Sequence, residues 1–291
     1  MIVTVCLATC GGNKSPTSPS SPSSDPCAPQ LNPAPGPVSD PNGPLYHHVF
    51  MATTVDGLTL SGVHEILSAA STPDGTLLPD GTIGFYYGNG ATGTYDLARL
   101  SGEAATPVGP ISVNGIRPPF IVDADAQLVN GRVRLFYLNV PPSRTNTGTV
   151  CVAESSDGLN FQTLGLAMVF GQGRTDPSVT QLAGGSWLMG ISFGQQTQLA
   201  QSSNGVSFTP SGVTVSYGGV PEVTTLSSGR VRMYVCANGN IDAYVSADAS
   251  ASSWTREGTV VQAGPSLGYG SVCDPSVVRG TNVFLFKAAP H

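Results

Sequence analysis

Charged residues are scarce in this sequence: Asp, Glu, Lys and Arg together make up 10% of its 291 residues. Chains that are disordered throughout combine high net charge with few apolar residues, whereas 40% of the residues here are hydrophobic. This composition excludes wholesale disorder and predicts a folded core. The 12 basic residues are scattered over a chain of net charge −6, which excludes the basic footprint of a nucleic-acid-binding protein.

Helical periodicity is missing as well. No stretch of useful length repeats its apolar residues at helical spacing, and Val, Ser, Thr and Gly dominate the chain. The absence of any Cys-x-x-Cys spacing leaves no indication of a zinc site, and we expect no bound metal of that kind. What is present is a pattern of short apolar stretches between turns, since the sequence contains 36 Gly and 24 Pro. This pattern predicts an all-β fold.

The N-terminal segment differs from the rest of the chain. Residues 1–10, MIVTVCLATC, are apolar and end at Cys10. LATC resembles the lipobox of bacterial lipoproteins, so we expect a signal segment, truncated because no basic region precedes it, and lipidation of Cys10. A frayed apolar terminus is the alternative. Residues 11–44 are rich in Pro and Ser and predict an extended tether.

Export follows from this interpretation. We expect a protein of the bacterial cell envelope, lipid-anchored in the periplasm or at the cell surface, or else secreted, that meets the membrane only through its lipid. Export permits disulfides. After loss of Cys6 and lipidation of Cys10, four cysteines allow three pairings. We favour Cys236 with Cys273, because the repeat described next places both on inner strands of neighbouring sheets; four buried thiols are the alternative.

A unit that recurs five times organises residues 45–291. Each copy has an acidic or turn residue, an apolar stretch, a turn with Gly and a second strand; the copies are residues 72–87, 122–137, 175–191, 220–235 and 273–286. A second hairpin unit with an aromatic residue on its returning strand follows most copies, at residues 152–161, 199–208 and 244–254. Four short strands in about 45–55 residues is the size of a propeller blade.

The ends of the chain complete the predicted architecture. The fifth copy has room for only two strands, and residues 47–60 form a strand-turn-strand unit with no first half before it. A five-bladed β-propeller whose N-terminal strands close the last blade accounts for both, because closure removes free sheet edges. An irregular β-sandwich is the alternative. We expect a monomer.

Acidic residues recur where the first strand of each unit begins. In a propeller this strand lies innermost, so the residue that opens it can project into the central funnel. Those at or near this point are Asp74, Asp123, Asp125, Asp176, Glu222 and Asp274.

Five blades with axial acids resemble the five-bladed propeller glycosidases, which include glycoside hydrolase families 43, 32, 62 and 68. The Arg-Thr-Asp-Pro stretch around Asp176 is similar to the Arg-Asp-Pro motif of family 32, with Thr175 inserted. By blade order, the resemblance assigns Asp74 as base or nucleophile, Asp176 as the residue that orients the site and tunes pKa values, and Glu222 as general acid. Glycosidic cleavage needs one carboxyl group to donate a proton and another to attack or to activate water.

Other candidates could bind the substrate or steady the carboxylates: Asp123, Asp125, Asp274, Arg117, Arg174 and His64. Each has a structural alternative. Asp74 lies in Pro-Asp-Gly, a common turn tripeptide, and Asp123 with Asp125 could be a polar start to a strand. A Ca²⁺ ion could sit among the funnel carboxylates, although no loop spacing requires one and no other cofactor is expected.

Two functions follow. The first is an exported glycoside hydrolase that cleaves furanosides or similar glycans with Asp74, Asp176 and Glu222. The second is a tethered propeller that binds a glycan or a protein partner without catalysis, because fold alone does not establish activity. Carbohydrate is the expected partner of the first.

Overall fold

The computed structural model of the chain describes Cys27, Pro37, Val38, Asp40 and residues 42–118, 123–139 and 148–290. Throughout these residues the regular structure is β-strand apart from one 3-10 turn, Pro44–Tyr46. The predicted all-β class is therefore confirmed. Over the same ranges, no helix has the length and apolar character needed to cross a membrane.

The strands form five radiating sheets. Strands β1 (His48–Thr53) and β2 (Ser61–Ser68) come first in the chain. Blade 1 contains β3 (Ala70–Leu77), β4 (Ile83–Asn89), β5 (Tyr95–Ser101) and β6 (Ala104–Pro110). Blade 2 contains β8 (Asp125–Val129), β9 (Arg132–Leu138), β10 (Thr149–Ser155) and β11 (Asn160–Val169), with β7 (Ser112–Val113) paired in parallel to β11 at its edge.

The last three blades repeat this order. Blade 3 contains β12 (Thr175–Gln181), β13 (Trp187–Phe193), β14 (Gln196–Ser202) and β15 (Thr209–Val215). Blade 4 contains β16 (Gly219–Thr225), β17 (Val231–Ala237), β18 (Asn240–Ser246) and β19 (Trp254–Val261). Blade 5 contains β20 (Ser271–Val277) and β21 (Val283–Ala289).

Blade 5 is completed from the other end of the chain. Its strand order is β20, β21, β1, β2, and β1 pairs antiparallel with β21 so that Phe50 lies opposite Phe286. The predicted closure of a five-bladed propeller by N-terminal strands is confirmed.

The core lies between neighbouring blades. The second strand of each blade is covered on both faces, which explains its nearly continuous apolar sequence; in β17, six of the seven residues are buried. Between blades 4 and 5, for example, Tyr234 packs edge-on against Phe284 at 5.3 Å between ring centroids. Such contacts hold adjacent sheets together through burial of apolar surface.

The outer hairpin turns of blades 2, 3 and 5 each accept a hydrogen bond from the preceding blade. In blade 2, Oγ of Ser155 accepts the N–H of Gly158 at 2.9 Å, and Oδ1 of Asp157 accepts that of Leu159 at 2.8 Å. The carbonyl oxygen of Gly158 then accepts the hydroxyl hydrogen of Tyr86 in blade 1 at 2.8 Å. The Ser-x-Asp-Gly sequence is therefore a docking turn.

Two disulfides connect distant parts of the chain. Cys236 is bonded to Cys273 as predicted, and Cys27 to Cys151. We expected both Cys236 and Cys273 on inner strands. This is wrong for Cys236, which lies on the second strand of blade 4. Cys27 falls within the predicted tether, yet its side chain is fully buried, so the tether is attached to blade 2 at this point. Cys10 lies outside the described residues.

Candidate active site

Every inner strand opens in the same way. A residue with left-handed backbone, φ between 40° and 52°, lies just before the strand or within its first four residues. We call these five residues the upper ring: Thr72, Asp123, Asp176, Val220 and Asp274. The residue two positions later faces the axis one layer deeper. We call these five residues the lower ring: Asp74, Asp125, Ser178, Glu222 and Ser276.

A β-bulge explains this geometry. In blade 3 the pairing of β12 with β13 shifts between Thr175 and Ser178, so the ladder skips Pro177, which has no N–H to donate. The left-handed conformation at Asp176 is one that Asp tolerates better than most residues. Asp176 and Pro177 therefore both fit the backbone of the bulge.

The lower ring joins all five blades. Each of its side chains accepts a backbone N–H from the inner strand of the next blade. The donors and distances are Ala126 to Asp74 (2.5 Å), Val179 to Asp125 (3.1 Å), Val223 to Ser178 (2.9 Å), Val277 to Glu222 (3.4 Å) and Gly75 to Ser276 (2.9 Å). The last of these closes the circle from blade 5 to blade 1.

Three carboxyl groups are crowded within this ring. Asp74, Asp125 and Glu222 are buried, and one oxygen of each lies within 4.8 Å of the others. Burial, opposed in part by Arg279, raises the pKa of Glu222 to about 7. Burial and the charges of Asp125 and Glu222 raise the pKa of Asp74 well above its ordinary value, and burial also raises that of Asp125. The ring therefore retains protons at pH values where exposed acids are ionised.

Arg279 closes the axis below the lower ring. Its Nη2 donates to the carbonyl oxygens of Val223 at 2.6 Å and Val179 at 2.8 Å, and lies 3.4 Å from Oε1 of Glu222. The guanidinium group therefore ties two inner strands together and balances part of the acidic charge above it.

The upper ring holds a second set of charges. Nζ of Lys287, on β21, lies 2.5 Å from Oδ2 of Asp274. Burial and the neighbouring charge of Asp274 raise the pKa of Asp176 to about 6. Burial and the charges of Asp176 and Asp274 raise that of Asp123 well above its ordinary value. Although its own burial acts in the opposite direction, Asp274 raises the pKa of Lys287, so this lysine stays charged.

All the ring residues except Ser276 line one pocket at the propeller axis, the funnel. Asp74, Asp176 and Glu222 all line it, so the structure brings the three predicted acids together. They do not lie in one layer, however. Asp176 belongs to the upper ring and the other two to the lower ring, because the left-handed residue and the bulge separate the two layers by two residues in each strand.

The structure sorts the remaining candidates. Asp123, Asp125 and Asp274 line the funnel. Arg174 lies two residues before Asp176, and its guanidinium carbon stacks 3.8 Å from the centroid of the Phe193 ring.

Two predicted contacts lie elsewhere. Arg117 is exposed in the loop after β7. His64 is on β2, the outermost strand of blade 5, and its ring nitrogens contact the carbonyl oxygens of Gly62 at 2.6 Å and Glu103 at 2.9 Å. Neither side chain is among the described residues that line the funnel.

Sequence reasoning missed Lys287, Arg279 and the two ring serines. The signals were present: Asp-Pro-Ser occurs at both Asp176 and Asp274, and Lys287 interrupts the apolar run of β21. Neither signal identifies a partner, since the partners come from other blades.

The lower ring fits calcium poorly. Hard cations of this kind take six to eight oxygen ligands, but all six carboxyl oxygens of Asp74, Asp125 and Glu222 already accept hydrogen bonds from the protein. The adjacent guanidinium group of Arg279 disfavours a cation further. We therefore interpret this cluster as a hydrogen-bonded carboxyl ring.

Comparisons with known proteins identify the architecture. No protein-family model and no curated protein matches the chain. A protein of unknown function from Dyadobacter fermentans superposes with a TM-score of 0.54 at 16% identity, over 86% of this chain and 85% of that one.

Two solved glycosidases are similar as well. An α-L-arabinofuranosidase from Clostridium thermocellum gives a TM-score of 0.54 at 14% identity, over 74% of this chain and 80% of that one. A thermostable family-43 glycoside hydrolase gives 0.59 at 10% identity, over 76% and 88%. At these identities the likeness shows the fold, which is that of the five-bladed propeller glycosidases.

Proposed function

We propose that this propeller is a glycoside hydrolase whose acid and base act at the upper ring. One observation carries the proposal: the funnel mouth holds carboxyl groups in two different electrostatic environments. Asp274 forms an ion pair with Lys287, whereas burial raises the pKa of Asp176 to about 6. Carboxyl groups in different environments can take the separate roles of acid and base in a glycosidase.

The roles follow from these environments. Asp274, whose Oδ2 lies 2.5 Å from Nζ of Lys287, is the base or nucleophile. Asp176, whose pKa is raised to about 6, carries a proton at mildly acidic pH and donates it to the leaving oxygen. Asp123, whose pKa burial and the charges of Asp176 and Asp274 raise well above its ordinary value, lies beside them as a hydrogen-bond donor to a sugar hydroxyl. The negative charge of the mouth also stabilises the oxocarbenium-like transition state of glycosidic cleavage.

The lower ring supports this site from beneath. Asp74 and Glu222 are 9% and 2% exposed, and each accepts a backbone N–H from the next blade. We therefore assign them chiefly to holding the ring together. Asp74 as base and Glu222 as acid is the competing assignment, and both residues line the floor of the funnel.

The substrate class follows from the shape of the site and from the comparisons. The funnel is narrow, with an enclosed volume of about 40 Å³, and carboxyl groups line it. We therefore infer that only one terminal sugar residue is bound, at the mouth of the funnel. The arabinofuranosidase with the same fold makes terminal furanosides the first class to test.

The experiment compares matched variants on a panel of aryl furanosides and pyranosides. We expect Asp176→Asn and Asp274→Asn to lower kcat by at least about 100-fold, the usual contribution of an acid or base. Asp80→Asn, on an exposed turn, is the control. Circular dichroism establishes that each variant is folded.

Other outcomes contradict parts of the proposal. Full activity in Asp176→Asn, with loss in folded Glu222→Gln, would transfer the role of the acid to the lower ring. Binding of a glycan by the wild-type protein without turnover of any substrate would make the propeller a binding protein instead.

We propose further that the chain is exported. The two disulfides support this, since such bonds persist in oxidising compartments, as does the LATC sequence at Cys10. Metabolic labelling with a radioactive fatty acid in a bacterial host tests the lipid anchor, with Cys10→Ala as the control. Absence of label in the wild-type chain would contradict the lipid anchor, and export would then mean secretion.

A further inference from the structure

A second cavity lies at the opposite end of the propeller axis. It is formed where the inner strands end, opens to solvent and has a volume of about 410 Å³. The lower ring and Arg279 separate it from the funnel. We call it the lower cavity. The function proposed above does not use it.

The lining of the lower cavity is polar but contains no acid. Residues with hydroxyl and amide side chains from four blades line it: Gln127, Asn130, Thr180, Gln181, Thr224, Thr225 and Thr281. Among the described residues that line it, Arg279 carries the single charge. This contrasts with the funnel, which is lined by six carboxyl groups. The two ends of the axis therefore favour different ligands.

The guanidinium group of Arg279 has a terminal nitrogen that makes no hydrogen bond to the described residues. Its Nη2 is occupied by the carbonyl oxygens of Val179 and Val223 and by Glu222. Its Nε is buried without an acceptor and is not accessible from the cavity, whereas its Nη1 has no hydrogen bond to any described residue. An arginine that lines a cavity and has an unoccupied Nη1 is suited to an oxyanion, because guanidinium groups donate charge-assisted hydrogen bonds to carboxylate and phosphate oxygens.

We propose that the lower cavity binds a small oxyanion through Arg279, with the surrounding hydroxyl and amide groups contacting the hydroxyl groups of the ligand. The shared chemistry is an oxyanion at the guanidinium group. Two sources fit it, the carboxylate of a sugar acid and inorganic phosphate. Hydroxyl groups on the ligand favour the sugar acid, because they can bond to Gln127 and to the threonines.

Calorimetric titration of the full chain at low salt tests the proposal. The ligands are glucuronate, phosphate and glucose. We expect glucuronate to bind, and glucose, which lacks the carboxylate, to bind at least about tenfold more weakly, the loss expected for one charge-assisted hydrogen bond. Binding of phosphate as tight as that of glucuronate would identify a simple anion site and still support the proposal. No binding of either anion would overturn it.

Variants locate the binding site. Leu128 lines the cavity and is 39% exposed, so Leu128→Glu should fold and weaken anion binding by about fivefold or more through charge repulsion. Leu128→Gln is the matched control, because glutamine has the shape of glutamate without its charge. This variant should bind the anion as the wild type does. Equal binding by both variants would overturn the assignment to this cavity.

Two further variants separate the two ends of the axis. Arg279→Met should abolish binding; if it does not fold, the Leu128 pair still decides. Asp176→Asn should leave anion binding unchanged, because Asp176 lies in the funnel. Tighter binding in Asp176→Asn would place the anion beside Lys287 in the funnel and overturn the proposal.

Discussion

Ser178 donates its hydroxyl hydrogen to Oε2 of Glu222 across the junction of blades 3 and 4, at 2.8 Å. The hydroxyl oxygen of Ser178 in turn accepts the backbone N–H of Val223 at 2.9 Å. One hydroxyl group therefore holds both the strand and the carboxyl group of the neighbouring blade. Ser276 makes the matching contacts with Asp74 and Gly75, so two serines position two acids of the lower ring.

Loss of a ring serine should destabilise the whole propeller. Ser178→Ala removes the acceptor for the N–H of Val223 and the donor to Glu222, which leaves buried groups unpaired. We expect the free energy of unfolding to fall by about 1–3 kcal/mol. Urea denaturation measures it, with Ser203→Ala, at an exposed position, as the control. If Ser178→Ala changed the free energy of unfolding no more than the control does, the hydrogen bonds of Ser178 would not contribute to stability.

The pH dependence of stability should reveal the protonated lower ring. Burial raises the pKa of Glu222 from an ordinary value of 4.5 to about 7. The folded state therefore binds more protons than the unfolded state between these values. Its stabilising contribution is complete below the unfolded pKa and is lost as the pH rises through the folded pKa.

A difference measurement isolates this contribution. His47, whose pKa burial lowers to about 4, acts with the opposite sign at acidic pH. We therefore compare the wild type with Glu222→Gln at pH 5 and pH 8. The stability of the variant relative to the wild type should be higher at pH 8 by about 1–3 kcal/mol. A difference that does not change with pH would contradict the raised pKa.

The left-handed backbone at Val220 should carry strain. Its φ of 50° is a conformation that β-branched residues avoid and that Asn tolerates. Val220→Asn should therefore raise the free energy of unfolding by about 0.5–1 kcal/mol. Thermal unfolding measures the change, and Val55→Asn, at a position 92% exposed, should have no effect. A fall in stability at Val220 would show that its apolar contacts outweigh the strain.

Lys287 should set the pH range of the proposed activity. Its charge lowers the pKa of Asp176, against the larger upward effect of burial. If Asp176 is the acid, kcat/KM should decline above about pH 6. Lys287→Met should lower kcat, because Asp274 loses its partner, and should move this decline to higher pH. If a folded Lys287→Met variant kept the pH dependence of the wild type, Lys287 would not influence the pKa of the catalytic acid.

Much of the fold could be predicted from the sequence, because each blade depends on local patterns. The hairpins, the Ser-x-Asp-Gly turns and the two strands of the last blade all follow from residues near one another in the chain. The Cys236–Cys273 disulfide could be predicted for the same reason, since blade order makes the two sheets neighbours. The partner of Cys27 could not be predicted, because Cys151 is 124 residues away in the sequence.

The division of the acids into two rings could not be predicted. Asp74 and Asp176 both lie near the start of a repeat unit. The sequence does not indicate how deep each side chain lies along the propeller axis. A bulge and a left-handed residue decide that depth, and they are visible in the backbone conformation of Asp176 and of Thr72.

By itself, the sequence determined that the chain forms five similar β-units, that its two ends share one of them, and that acids cluster where inner strands begin. Only the tertiary structure decided which acids share a layer, which of them Lys287 and Arg279 neutralise, and which accept hydrogen bonds from the next blade. The physical reason is that repeat patterns are encoded by near neighbours, whereas burial and charge pairing arise between side chains that closure of the ring brings together.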